Sequence, residues 1–442
     1  MNTAAAPLLL AGLTLGGADR TLAATHLVPM EFATINAALD ASAFGDTVLV
    51  APGTYTDSDV RLDGFSTRSC AFMRDGVVLR SESGPEVTTI DMQGLGASQA
   101  ATVWCVHLPS TATAVEGFTI TGAPVNQRGT FIGDVGRVTY RDCIFRDLDA
   151  GNSTGGGLAG NGNVDVIDCE FVNCFANSGG GLIHSGGHLN LIRSTFENCG
   201  NSGAYLLGVS GGEGESALVE DCLFLDNWSN AGGPGLTIYR YDQGAIVRRC
   251  RFEGNHASAY AGGALSFTGY GPKLIEDCLF LNNSIDGGTG RGGALVVQDN
   301  GTCEIRGNTF FGNHQTYQSG GGSAVFIYAP GVLFERNVVV QSTGVPAFHV
   351  QAGSSVSTSC NIFWDNPEGI GIPLSATDRE IDPLFCDLEN HDFTVRENSP
   401  CVEPGSLGCG QIGAFGIGCG ITSIEQSSWG RIKGFHRNGE RR

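Results

Sequence analysis

The chain has 442 residues, 67 of them glycine, with 16% charged residues and a formal net charge of -20. So much glycine, a poor helix former, excludes a mainly helical protein and favours many turns. A hydrophobic content of 41% excludes disorder, and the negative balance excludes nucleic acid and anionic lipid as general partners, since phosphate binding needs clustered Lys and Arg.

In chain order, Ala4 to Leu15 is a short apolar run, followed by the small-residue stretch Thr21-Leu22-Ala23-Ala24. Residues 1–24 read as a signal peptide, although Met1-Asn2-Thr3 lacks the usual basic residue. No other segment approaches the ~20 apolar residues of a membrane span. A secreted or cell-surface protein without a transmembrane segment is therefore expected. Phe32, Ile35, Ala38 and Leu39 have helical spacing and Thr34 is placed to cap them, which predicts an N-terminal capping helix. Gly45 to Tyr55 then supplies a first strand and turn.

From there a repeat dominates. Asp142-Cys-Ile-Phe145, Asp168-Cys-Glu-Phe171 and Arg193-Ser-Thr-Phe196 recur as Asp221-Cys-Leu-Phe224, Arg249-Cys-Arg-Phe252 and Asp277-Cys-Leu-Phe280. Gly307-Asn-Thr-Phe310, Arg336-Asn-Val-Val339 and Cys360-Asn-Ile-Phe363 complete the series, 24 to 30 residues apart. Each repeat holds a β-rich run, a polar turn and a glycine cluster, with no room for an amphipathic helix, so helical and leucine-rich solenoids are excluded. A coil of two or three short strands fits.

Stacked in register, the repeats form columns. One runs Tyr140, Val166, Leu191, Val219, Val247, Ile275, Ile305, Phe334; three residues on lies Cys143, Cys169, Ser194, Cys222, Cys250, Cys278, Asn308, Asn337, Asn361. Two further is the phenylalanine column, and three past it come Leu148, Cys174, Cys199, Asn227, Asn255, Asn283, Asn313, Ser342 and Asn366. The apolar columns are expected to face inward, and the asparagines to form a ladder bonding up and down the stack. Just before each cysteine position the charge alternates from Glu220-Asp221 to Arg248-Arg249 to Glu276-Asp277 to Arg306-Gly307 to Glu335-Arg336. Paired carboxylates invite a general acid/base reading, but the alternation favours cross-strand ion pairs that set register.

The opening Phe32-Ala-Thr-Ile35 … Gly45-Asp-Thr-Val48 … Pro52-Gly53-Thr-Tyr55 resembles that of secreted bacterial right-handed parallel β-helix proteins of the pectin-lyase-like superfamily. So does the close, from Ile381-Asp-Pro-Leu-Phe385 to Gly410-Gln-Ile-Gly413-Ala414. The resemblance covers residues 27–419 and implies one all-β solenoid of about 11–12 rungs, roughly 50 Å long, with a C-terminal tail at 420–442. It is specific for fold and not for activity, since the superfamily holds lyases, hydrolases, epimerases and adhesins. The polygalacturonase-type Asn-Thr-Asp, Asp-Asp and Gly-His-Gly motifs are absent, and Arg431-Ile-Lys433 lies in the tail, beyond the closing segment. A pectate-lyase-like site would combine calcium-binding carboxylates with a proton-abstracting arginine, with Arg240, Asp242 and Arg291 as candidates. Calcium is implied only in that case; otherwise no cofactor is expected.

Fifteen cysteines in an exported chain raise the question of disulfides. Those of the ladder sit where Ser or Asn also occur and read as packing residues. Cys174 with Cys199, Cys70 with Cys105, and pairs among Cys386, Cys401, Cys409 and Cys419 are the candidates for bridges. No matched Cys-x-x-Cys pairs suggest zinc. His184, His188, His256 and His314 are placed in rung loops or at strand edges. Trp228, His256, Tyr260 and Tyr317 fall between asparagine and glycine cluster on nearly consecutive rungs, with Tyr270 slightly later. Stacking would line them along one side of the solenoid, where aromatic rings with polar neighbours suit sugar faces. The expectation is a monomer that recognises polysaccharide, a cell-surface glycan or another surface through that face without catalysis. A uronan-active enzyme and a structural adhesin stalk are the alternatives.

Overall fold

The structure, a computed structural model, describes residues 23–419 apart from 64, 209–213, 231, 259–261, 288–289, 300 and 317–319. Most of the expected signal peptide and all of the tail from 420 lie outside the described residues, as do Tyr260 and Tyr317. Among the described residues eleven successive coils build three sheets, parallel throughout except for the antiparallel hairpin Asp59–Asp63 with Phe65–Ser69 in the first coil, the first-sheet strands beginning at Thr47, Val78, Thr113, Val138, Val164, His188, Ser216, Ala245, Lys273, Cys303 and Val332. Neighbouring coils pair in parallel register, for instance Val166 with Leu191 and Phe224 with Phe252. This is the solenoid expected from the sequence.

The columns occupy the interior. Seven phenylalanines from Phe145 to Phe310 stack face to face, with centroids 4.5 to 5.1 Å apart and planes within 8°. Aromatic pairs usually prefer an offset or edge-on approach; here the parallel strands, ~4.8 Å apart, impose the stack. At the corner after the second sheet, Asn227 Nδ2 donates to Asn255 Oδ1 (3.0 Å) and to the Phe196 carbonyl (3.0 Å). Asn255 Oδ1 also accepts from the Asn227 backbone N–H (3.2 Å). Asn255 to Asn283 and Asn283 to Asn313 repeat the pattern at 2.9 and 3.1 Å, and Asn366 continues it, its Oδ1 accepting from the Ser342 N–H at 3.0 Å.

The corner between first and second sheets carries the same device. Asn308 donates to Asn337 and Asn337 to Asn361, and the row ends on Asp378 (2.8 Å). Where this row is cysteine, the thiol takes the amide's place: Cys250 Sγ donates to the Val219 carbonyl (3.5 Å) as Asn308 Nδ2 does to that of Ile275 (2.9 Å). Cys143, Cys222 and Cys278 are buried in the same role, and the buried Cys169 donates to the Ile167 carbonyl of its own coil (3.4 Å).

The expected bridges need correction. Cys174 and Cys199 are free thiols donating to the carbonyls of Phe145 and Phe171 (both 3.5 Å). In-register strands hold their Cβ atoms at about the ~4.8 Å strand spacing, wider than the ~3.8 Å of a disulfide. Cys70 and Cys105 are also free, because Ala71 pairs with Val103 and so aligns Cys70 with Thr102 instead. The two bridges present are Cys386–Cys419 and Cys360–Cys409, with Cys401 buried and free.

The N-terminal end is capped, and the C-terminal coils are covered on one face. Ile35–Ala41 forms a helix whose N-cap Thr34 accepts from the Ala37 N–H (3.1 Å), as expected. It buries Ile35, Ala38 and Leu39 and is tied down by Asn36, which bonds both Ser69 O (3.1 Å) and Phe72 N (2.9 Å). At the other end the hairpin Phe385–Asp387 with Asp392–Val395 lies over the outer face of the second sheet. Phe393 meets Phe311 at 5.1 Å, closing a second apolar cluster with Leu281, Val340 and Ile412.

His184 is no loop residue. It points inward from the third sheet, fully buried, with Nδ1 on the Tyr241 hydroxyl (2.5 Å) and Nε2 on the Gly162 carbonyl (2.8 Å). Burial lowers its pKa from 6.5 to about 4, so the folded chain holds it neutral while the unfolded chain protonates it near 6.5. Stability from this group is thus complete above pH ~6.5 and lost as pH falls toward ~4. Between pH 7 and 5, urea unfolding is predicted to show an acid loss about 2 kcal/mol smaller in His184→Gln than in the native chain. The same measurement is predicted to place Asn255→Ala about 3 kcal/mol or more below the native chain, because it strands several buried groups. Cys250→Ser, which copies Ser194 in the same row, should cost about 1 kcal/mol or less.

Candidate recognition surface

Asn227, Asn255, Asn283 and Asn313 of the second corner are each followed at once by a two-residue strand, and the ladder therefore fixes their register. Trp228–Ser229, His256–Ala257, Ser284–Ile285 and His314–Gln315 form a narrow four-stranded parallel sheet. Single bridges extend it to Gly200 and Thr343. Side chains alternate along a strand, so Ser229, Ala257, Ile285 and Gln315 are buried. Trp228, His256, Ser284, His314 and Thr343 form an outward row, one residue per coil.

The row is partly preorganised. Trp228, 38% exposed, approaches Phe175 with centroids 6.3 Å apart across the coil that carries Gly200. A Cβ on Gly200 would come within 2.6 Å of the indole and 2.7 Å of the Phe175 ring, so only glycine allows this pair. His256 Nδ1 contacts Ser284 Oγ at 3.0 Å and His314 Nδ1 contacts Thr343 Oγ1 at 2.8 Å. Each imidazole is oriented by a hydroxyl of the next coil, while neither Nε2 has a partner among the described residues. Two oriented imidazoles beside a half-open indole can exchange hydrogen bonds with hydroxyls and offer an apolar ring face.

Of the four expected binding residues, the structure brings Trp228 and His256 together as direct register partners; the other two, Tyr260 and Tyr317, are not described. Tyr270 is 61% exposed but follows the third-sheet strand Leu265–Thr268, at a different corner. His188 begins the first-sheet strand His188–Ile192, bonded to Ser216 (2.8 Å). The arginines considered for lyase chemistry do not converge. Arg240 directly follows the third-sheet strand Leu236–Tyr239, with its guanidinium over the Tyr239 ring (4.7 Å). Arg291 precedes the strand Leu295–Gln298, at the opposite end of that sheet, over Phe326 (5.3 Å). Among the described residues no group of three or more His, Cys, Asp or Glu side chains is arranged to hold a metal.

Three of the four carboxylates in the Glu220-Asp221 and Glu276-Asp277 pairs hold the cross-coil ion pairs that the alternating charge suggests. Arg248 bonds Glu220 at 2.9 Å, Arg249 bonds Asp221 at 2.9 Å, and Arg306 bonds Glu276 at 3.0 Å. Arg336 departs from the pattern by pairing within its own coil, with Glu335 (3.3 Å). Sequence reasoning missed a second aromatic feature. Trp104 and Phe131 pair in register on the unusually long strands Gln99–Leu108 and Arg128–Val135, rings 4.7 Å apart, with Arg128 over Phe131 at 5.4 Å. The Asp-Cys-x-Phe repeat begins only at Asp142 and gives no column that reaches them.

A family model described as right handed beta helix region matches residues 104–261 and again 180–380. No curated protein matches the sequence. Among solved structures, the crystal structure of pectate lyase Pel9A is similar at a TM-score of 0.39 and 15% identity, over 90% of this chain and 97% of that one. No helix among the described residues is long and apolar enough to cross a membrane. With the family model covering more than half of its length on top of the observed three-sheet coil, the chain belongs to the right-handed β-helix family.

Proposed function

We propose that this protein recognises glycan outside the cell, without turnover, through the row from Trp228 to Thr343. The observation that carries the reading is the combination on successive coils of a half-exposed indole and two imidazoles each oriented by a neighbouring hydroxyl. A flat apolar ring beside fixed polar groups suits a sugar, which has an apolar face and an equatorial rim of hydroxyls. Preorganisation matters because rotamers already fixed in the free protein need not be ordered on binding. The two disulfides and the apolar N-terminal run support an extracellular setting.

The test is a screen of the purified chain against neutral and acidic polysaccharides, with retention read by affinity electrophoresis and unsaturated product by absorbance. Retention by at least one glycan without product is predicted. Trp228→Ala and His256→Ala should each weaken it about tenfold or more, near 1.4 kcal/mol, with unchanged melting. A time-dependent rise in unsaturated product would overturn the non-catalytic part of the proposal. Retention indifferent to both substitutions would overturn the site.

A further inference from the structure

At the corner between the first and second sheets one position per coil has positive φ: Asp168, Arg193, Asp221, Arg249, Asp277, Gly307 and Arg336. Along this edge Asp168 and Asp221 are each answered from the next coil by an arginine, whereas Asp142 is followed by Asp168. Arg193 binds Asp168 through two nitrogens, both at 2.7 Å, and Arg249 binds Asp221 at 2.9 Å. Asp277 is followed by Gly307, and its carboxylate has no hydrogen-bond or ion-pair partner among the described residues. The missing side chain leaves a notch. A Cβ on Gly307 would lie 2.4 Å from Asp277 Oδ1, so the carboxylate leans into the space an arginine fills two coils earlier.

The notch belongs to a recess of about 450 Å³ walled by Glu276, Asp277, Arg306, Arg336 and Gln411. Arg306 is committed to Glu276 and Glu304 (3.0 and 3.2 Å). Among the described residues the Arg336 guanidinium bonds only Glu335, its sequence neighbour, at 3.3 Å. The outer wall is anchored: Gly413 N donates to the Arg336 carbonyl (2.8 Å), Ala414 N to Thr309 Oγ1 (3.1 Å), and Cys409 is bonded to Cys360 of the corner. A carboxylate with no direct partner among the described residues, attracted only at longer range by Arg249, Arg306 and Arg336, thus faces a lightly engaged guanidinium, one coil to either side of a glycine.

We propose that this recess binds a basic amino acid, whose side-chain cation takes the place of the missing arginine against Asp277 while its carboxylate meets Arg336. The site is separate from the glycan-facing row, which lies at the other corner of the coil. Charge-assisted pairs at both ends select a zwitterion of the right length over a simple cation.

The experiment is calorimetric titration of the full chain with L-arginine, with guanidinium chloride as control. Saturable one-to-one binding is expected for arginine, and binding at least tenfold weaker for guanidinium. Gly307→Arg rebuilds the ion pair found in the two preceding Asp–Arg steps and should abolish binding while the melting temperature holds or rises. Asp277→Asn, a nearly isosteric change, should weaken binding at least tenfold, and so should Arg336→Gln. No saturable binding at millimolar arginine, or binding unaffected by Gly307→Arg, would overturn the proposal. Guanidinium binding as tightly as arginine would overturn its zwitterion part.

Discussion

An amide or thiol turned inward at the two corners that flank the second sheet must satisfy buried backbone in a space one coil high, and the rest of the solenoid depends on that bond. A corner in a parallel coil leaves carbonyl and N–H groups that the flanking strands cannot reach, and an unmet buried polar group costs about 1–3 kcal/mol. Asparagine meets the need in both directions. Asn255 donates to Asn283 and to the Phe224 carbonyl while it accepts from Asn227. The residue before it takes positive φ, as Asp226 and Asn282 do, and this sharp corner swings the amide inward. The ladder fixes the register, the register stacks the phenylalanines, and the same register places Trp228 beside His256 on the surface.

Much of this could be read in the sequence because each column repeats one chemistry at one spacing. The asparagine ladder, the phenylalanine stack, the alternating corner charges and the Thr34-capped helix all follow from local patterns, and the structure has each of them. What could not be read depends on the direction in which a side chain leaves its strand. His184 was expected in a rung loop or at a strand edge, and pairing with Gly160 and Leu206 instead places it within a strand on the inward side. Cys174 and Cys199 resembled disulfide partners because spacing shows proximity and not the parallel Cα–Cβ vectors of in-register strands. Cys360 belongs to the coil series in sequence, yet it sits at a positive-φ corner with its thiol outward, within reach of Cys409.

The surface departs from the columns where it is of most interest. Gly200 interrupts a row of side chains and lets Phe175 and Trp228 meet. Gly307 interrupts a row of charges and leaves Asp277 unanswered. In a solenoid whose interior tolerates little variation, a missing side chain on an outward row costs the fold almost nothing and opens space. The two disulfides also lie outside the regular coils, holding the C-terminal segment over the second sheet and, with it, the wall of the recess.

The central claim is that the inward columns are uncrosslinked ladders and that covalent bridges serve only the C-terminal cover. Counting thiols tests it most directly, by maleimide labelling and peptide mass spectrometry before and after unfolding without reductant. The account predicts no labelled cysteine in the native chain and eleven after unfolding, with Cys360, Cys386, Cys409 and Cys419 protected. Fewer than eleven, through a bridge between coil positions such as Cys174 and Cys199, would contradict it, and so would ready labelling of the ladder cysteines in the folded protein.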